Sequence, residues 1–185
     1  MEKISVSELI KLNKKDLLGK IIVFPTDTVY GVGCLFLDNI ARDKIYDMKQ
    51  RDYGKPLPIL VGNKSDAKRI GVITSDMDKY ISLWPGALTI VFKTKDKEYP
   101  HETIAIRIPD SKISLSILNH FGPMEVTSVN LSGEKELNSI QEIEEKFHDK
   151  VDYLVTDDAC FSKTPSTIIS LVDEFKVLRS GNIKF

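Results

Sequence analysis

The sequence predicts an α/β fold: a single domain over residues 1–185, built on a twisted mixed sheet with flanking helices. Three observations carry that prediction. Short β-branched runs alternate with amphipathic segments along the whole chain, as in layered α/β domains. The alternation is too irregular for an all-parallel sheet, in which every strand pair needs a long crossover. A length of 185 residues suits one domain, large enough to bury roughly 70% of its unfolded surface without a disulfide or metal staple.

Taken in order, Ser5 and Glu8 form a capping box that predicts a helix running to about Leu18, with Gly19 as its stop. Lys20 to Phe24 reads as a strand ended by Pro25, and Tyr30 to Phe36 as a second. Asp38 caps a helix that places Ala41, Ile45 and Met48 on one face. Leu57 to Val61 is a strand. Ser75 starts a helix carrying Met77, Tyr80, Ile81 and Trp84, stopped by Pro85-Gly86, and Leu88 to Phe92 and Thr103 to Ile108 are strands. Ser111 to Phe121 is a helix, Glu125 to Val129 a short strand, and Ser139 with Glu142 a second capping box. Tyr153 to Val155 is a strand. Thr167 to Val172 and Lys176 to Leu178 form a hairpin around Asp173-Glu174.

Charge is balanced, 26 Lys+Arg against 27 Asp+Glu, with 42% hydrophobic and 29% charged residues. That excludes a disordered tail, a collagen-like rod and a supercharged nucleic-acid arm. The longest strictly apolar run, Ile21 to Phe24, falls far short of the ~20 residues of a membrane helix. The N-terminus carries no signal-peptide core, so a cytoplasmic location without membrane attachment is expected. Cys34 and Cys160 read as thiols of a reducing compartment, too few for a zinc site or disulfide framework. No tightly bound metal is expected.

There is no P-loop, no G-x-G-x-x-G and no H-E-x-x-H, and His101, His120 and His148 lack partner spacing. Polar clusters at strand ends remain. Residues 25–33 put small hydroxyls and glycines directly after a buried strand, suited to close approach of a ligand or to a plain capped turn. Lys49, Arg51 and Lys55 could clamp phosphates, or the first of them could merely complement a helix dipole. Residues 127–133, with Ser128 and Asn130, lie where ligands sit in open α/β sheets, and also read as an ordinary Ser/Asx loop. Arg107 in an alternating strand, Ser166 after Pro165 and Arg179 before Ser180-Gly181 complete the set. An arginine buried in such a strand demands an anion, whereas one on a wet face demands nothing.

Taken together, these segments resemble the YrdC/TsaC family, the threonylcarbamoyl-AMP synthases of tRNA modification, in its single-domain form. The matching stretches are PTDTVYGVG (25–33), KQR (49–51), KPLPILV (55–61), WPGALTIVF (84–92), TIAIRIPD (103–110), TSVNLSG (127–133), PSTII (165–169) and VLRSG (177–181). They fall in family order over nearly the whole chain. The resemblance implies a YrdC-like sheet around a positively charged cavity. It implies that L-threonine, bicarbonate and ATP give threonylcarbamoyl-AMP and pyrophosphate. Downstream transferase proteins, with tRNA as a further partner, then place the group beside the anticodon. It assigns Lys49, Arg51, Ser128 and Asn130 to the catalytic tetrad, and Arg51, Lys55, Thr103, Ser128, Asn130 and Arg179 to ATP. It assigns Thr28, Arg107 and Ser166 to threonine, and lets Mg2+ ride on the triphosphate. The chain departs from the pattern at Asp52, Leu60, Val129, Glu136 and Ser180, and no contact is assigned to Glu136. Two competing readings are an RNA-binding module without ATP chemistry and a carbamoyl-phosphate domain like that of hydrogenase-maturation proteins. The first wants a basic excess and exposed aromatics. The second belongs to much longer chains with cysteine motifs.

Overall fold

The computed structural model describes residues 1–159 and 162–185, so Cys160 lies outside the described residues. The strands are β1 (Glu2–Ile4), β2 (Ile22–Pro25), β3 (Tyr30–Leu35), β4 (Ile59–Leu60), β5 (Leu88–Lys93), β6 (Thr103–Arg107), β7 (Met124–Ser128), β8 (Tyr153–Val155), β9 (Thr167–Ser170) and β10 (Lys176–Arg179). They form one sheet in the order β1-β8-β2-β3-β7-β4-β6-β5-β9-β10. The helices are α1 (Val6–Leu9), α2 (Asn39–Lys49), α3 (Lys64–Ile70), α4 (Asp78–Ile81), α5 (Lys112–Phe121) and α6 (Ile140–Phe147). The sheet is mixed, as predicted. β2/β3, β3/β7, β4/β7, β5/β6 and β9/β10 run antiparallel, while β1/β8, β2/β8, β4/β6 and β5/β9 run parallel.

Helices cover both faces, which is why β2 is buried at every position and reads as one apolar run. Side chains alternate across it. Val23 joins a core with Ala41, Ile45 and Met48 of α2 and Ile143 and Phe147 of α6. Ile22 and Phe24 join another with Leu9 of α1 and Ile117, Leu118 and Phe121 of α5. A third core packs Ala67 and Ile70 of α3 and Trp84 against Ile90, Phe92, Ile104 and Ile106. β3 and β7 approach so closely at Gly31 and Gly33 that a Cβ at either position would stand 2.7 Å from a methyl of Val126. Behind them Glu125 is buried opposite Cys34, accepting from the Leu37 N–H, with an Arg42 Nη1 at 3.8 Å. Burial, partly offset by Arg42, pushes the Glu125 carboxyl up to about 7. Burial also pushes the Cys34 thiol far up.

Several caps form as predicted: Asp38 accepts from Ala41 N, Ser111 from Ser114 N and Ser139 from Glu142 N. Four readings change. The helix expected from Ser5 to Leu18 stops after one turn, and Lys14–Leu17 forms a separate 3-10 turn. The Ser5–Glu8 box satisfies only the first turn, and Asn13 with Asp16 opens a second reciprocal cap that competes with helix continuation. The helix expected from Ser75 is a 3-10 turn (Ser75–Met77) followed by the single turn of α4. Helix α3 was not expected, although Asn63 caps it by accepting from Asp66 N at 2.9 Å. Strand β1 was also not expected; it carries one buried residue and exists through parallel pairing with β8.

Candidate active site

The site forms where the β2–β3 turn, the C-terminal ends of β6 and β7, the start of β9 and the end of β10 converge. A cleft of about 100 Å³ there is lined by Thr28, Arg107, Ser166 and Arg179, together with Thr26, Thr127, Ser128 and Glu136. A second pocket of about 190 Å³ is lined by Lys49, Arg51, Asp52, Lys55, Ser128 and Asn130. The two share Thr127 and Ser128. Segments as far apart in sequence as Thr26 and Arg179 are thereby joined into one bipartite depression.

Arg107 leaves the end of β6 only 6% exposed. Its Nε donates to Gly86 O at 3.1 Å, its Nη1 to Thr28 Oγ1 at 3.0 Å, and its Nη2 to Asp27 Oδ1 in an ion pair. Burial lowers its pKa, offset by Asp27. The guanidinium is therefore held by two segments, the β2–β3 turn and the chain at Gly86, before any ligand arrives. Three of its five N–H groups are used in these bonds. Thr28 is fixed in turn: Thr26 Oγ1 accepts from the Thr28 and Val29 N–H groups and donates to Val29 O at 2.7 Å. Ser162 N and Lys163 N donate to Asp27 O and Thr28 O, tying the approach to β9 onto this turn. Asp27 and Thr89 are functional-looking residues that the sequence did not single out. Asp27 lay inside the 25–33 motif, while Thr89 had no local signal.

Ser166 Oγ lies 2.8 Å from Thr89 Oγ1. Arg179 wraps its start-of-strand backbone, donating from Nε and Nη2 to Ser166 O at 3.1 and 2.8 Å, and from Nη2 to Ser166 Oγ at 3.2 Å. Gly181 permits this closeness, since a Cβ there would stand 2.4 Å from Pro165 O. Arg179 thus borders the threonine-assigned residues directly. Burial lowers its pKa, offset by Glu136.

Lys49, at the end of α2, is 2% exposed. Its ammonium donates to Ser128 O at 2.5 Å and to Asn130 O and Oδ1, both at 2.8 Å. All three donors are spent on the 128–130 loop, so the ammonium shapes that loop. Burial, reinforced by Arg51, pulls its pKa down to about 8. Asn130 is equally committed: Oδ1 also accepts from Ser128 Oγ at 2.7 Å, and Nδ2 donates to Leu131 O and Glu134 O. Gln50 turns the chain out of α2 in a left-handed conformation, φ 51°, which aims Arg51 back over the next loop. There its Nε donates to Lys55 O at 2.9 Å and its Nη2 to Pro56 O at 3.2 Å. Lys55 reaches the same pocket and its side chain is exposed. Val129, the bulkier residue between Ser128 and Asn130, points away from the pocket into the core and is fully buried.

Thr103 is not brought to the site. It sits at the opposite end of β6 from Arg107, about 13 Å along the strand, paired with Lys93, and lines neither pocket. An alternating strand can bring only one of its ends to a cleft, and here that end is Arg107. Among the described residues no group of three or more His, Cys, Asp or Glu is placed to hold a metal ion. No helix among them is long and apolar enough to cross a membrane.

The family model Sua5/YciO/YrdC, described as telomere recombination, matches residues 17–181. A Methanocaldococcus jannaschii protein, named provisionally as a threonylcarbamoyl-AMP synthase, is 36% identical over 173 residues, covering 88% of this chain and 80% of its own. The Bacillus subtilis threonylcarbamoyl-AMP synthase is 30% identical over 175 residues, covering 89% of this chain and 51% of its own. Among solved structures, Escherichia coli YciO matches with a TM-score of 0.83 at 26% identity, over 95% of this chain and 88% of that one. Pyrococcus abyssi Sua5 complexed with L-threonine matches with a TM-score of 0.85 at 26% identity, over 97% of this chain and 56% of that one. The chain thus spans about half the length of the B. subtilis and P. abyssi proteins and most of the other two.

Proposed function

We propose the activity from one premise: the chain belongs to the Sua5/YciO/YrdC family. On that premise it is an enzyme, a threonylcarbamoyl-AMP synthase of the nucleotidyltransferase class. It joins L-threonine, bicarbonate and ATP into threonylcarbamoyl-AMP and pyrophosphate, and supplies the group to transferase proteins that modify tRNA. The observation that carries the reading is the bipartite site itself, two pockets meeting at Thr127 and Ser128.

The chemistry asks for little beyond placement. Bicarbonate loses hydroxide to give carbon dioxide, the neutral amine of threonine adds to it, and the amine proton joins the hydroxide as water. The resulting carbamate oxygen attacks the α-phosphate of ATP and expels pyrophosphate. The carbamate and the triphosphate are both anions, so the barrier lies in holding them together and in stabilising the charge that develops between them. Arg107, prealigned by Asp27, offers its remaining N–H groups to the threonine carboxylate, with Thr28 and Ser166 beside it. Arg51 and Lys55 border the pocket assigned to the polyphosphate. Lys49 and Asn130 act one step back, by fixing the loop that carries Ser128 at the junction. The polyphosphate pocket offers one carboxylate, Asp52, so Mg2+ would take its ligands mainly from phosphate oxygens and water.

The deciding experiment measures pyrophosphate release with each substrate omitted in turn. Release that requires ATP, L-threonine and bicarbonate together is expected. Equal release without threonine, or with any amino acid in its place, would overturn the assignment.

A further inference from the structure

The cleft assigned to threonine holds two arginines, several hydroxyls and one acid. Glu136 is the only carboxylate among its lining residues. It stands on the segment after Gly133 that leads into α6 and lines the same cleft as Arg107 and Ser128. Among the described residues its carboxylate makes no hydrogen bond and no ion pair. Its field nonetheless reaches Lys49 and Arg179, favouring the charged form of each. A half-buried carboxylate with no partner among the described residues is free to pair with a cationic group of a ligand.

An amino acid carries such a group. At neutral pH it is a zwitterion, and its ammonium presents three donors that need acceptors once they leave water. The neighbouring hydroxyls are neutral and already hydrogen-bonded within the protein: Thr28 Oγ1 accepts from Arg107, Ser166 Oγ lies between Thr89 and Arg179, and Ser128 Oγ donates to Asn130. They can share in binding an ammonium but cannot balance its charge. Arg107 supplies the counter-charge for a carboxylate, and Glu136 is the remaining charged group of opposite sign. We propose that Glu136 receives the α-ammonium group of the amino-acid substrate, and so selects an amino acid over the same acid without its amine. This rests on the threonine reading above.

The test titrates L-threonine and its deamino analogue, 3-hydroxybutyrate, into the wild-type protein and into Glu136→Gln and Glu136→Asp, with a non-hydrolysable ATP analogue titrated separately. Glu136→Gln keeps the shape and removes the charge. It is expected to weaken threonine by about tenfold to a hundredfold while leaving 3-hydroxybutyrate as in the wild type. Glu136→Asp should recover part of the loss. Unchanged threonine affinity in Glu136→Gln, or equal losses for threonine and 3-hydroxybutyrate, would overturn the proposal. A folded wild-type protein that binds no threonine would instead overturn the reading on which it rests.

Discussion

Replacing Arg107 by lysine separates what the guanidinium does for the fold from what it does for a ligand. In the structure it ties Gly86 O to Thr28 Oγ1 and Asp27 of the β2–β3 turn, at 6% exposure. A lysine ammonium is a single point on a flexible stem. It can keep the ion pair with Asp27 but cannot span the other two acceptors. Thr28 Oγ1 retains its contact with Thr26 Oγ1 at 3.0 Å, so most of the penalty falls on Gly86 O. Bonds from a charged donor contribute about 1.5–3 kcal/mol each, and a stranded buried carbonyl costs about as much. The expected loss is about 2–4 kcal/mol. In a chain of this size that lowers the thermal midpoint by roughly 5–15 °C. Urea unfolding of Arg107→Met, which removes the charge, Asp27→Asn and the double variant would show a coupling of at least about 1 kcal/mol between the two sites. Threonine titration of Arg107→Lys below its midpoint should show a loss of about 10–150-fold with little change for the ATP analogue. A midpoint for Arg107→Lys within about 1 °C of the wild type would refute the bonding described for Arg107. Equal losses for both ligands would remove it from the threonine pocket.

Four further outcomes follow from the same geometry. Lys49→Met should cut turnover by about 10²-fold or more, the scale of a lost transition-state donor, because the 128–130 loop loses its three-pronged anchor. Wild-type activity should fall as pH rises through about 8, where Lys49 loses its proton. Its folded pKa lies below the ordinary lysine value of 10.5, so its titration makes the fold more stable between about 8 and 10.5, and circular dichroism should show no accompanying unfolding. Glu125 has the opposite sign for a carboxyl. With its pKa raised from 4.5 to about 7, its protonated form favours the fold, and the wild type should lose stability as pH rises across that window. Glu125→Gln should abolish this slope, measured by urea midpoints at each pH, and an unchanged slope would show that Glu125 is not the group responsible. Gly181→Ala should lower both stability and turnover, since its Cβ would meet the Pro165 carbonyl at 2.4 Å. Forced overpacking of this kind costs about 1–3 kcal/mol, and wild-type values on both readouts would count against the described contact of β10 with Ser166.

The sequence by itself determined the local structure wherever neighbours along the chain decide it. Asp38, Ser111 and Ser139 mark helix starts because their oxygens accept from N–H groups three residues on. The β2 run and the β9–β10 hairpin are legible because strand burial and turn residues are written within a few positions. The mixed sheet followed from strands that alternate only irregularly with helices. The motif segments also marked the ends that converge on the site. Tertiary structure decided the rest, through contacts that have no short-range signature. β1 exists only because Glu2 to Ile4 lie beside Tyr153 to Val155. Lys49 reads as a free phosphate ligand until the 128–130 loop, some 80 residues away, takes all three of its donors. Arg107 reads as an isolated fork until Asp27 and Thr28 close on it, and Thr103 reads as an ATP contact until the strand direction carries it to the far end of β6. For β1 and Thr103 the deciding term is which strands pair and in which direction, and for Lys49 and Arg107 it is the desolvation of a polar group. The cost of that desolvation depends on which distant oxygens or charges surround the group, and only the folded chain brings those together.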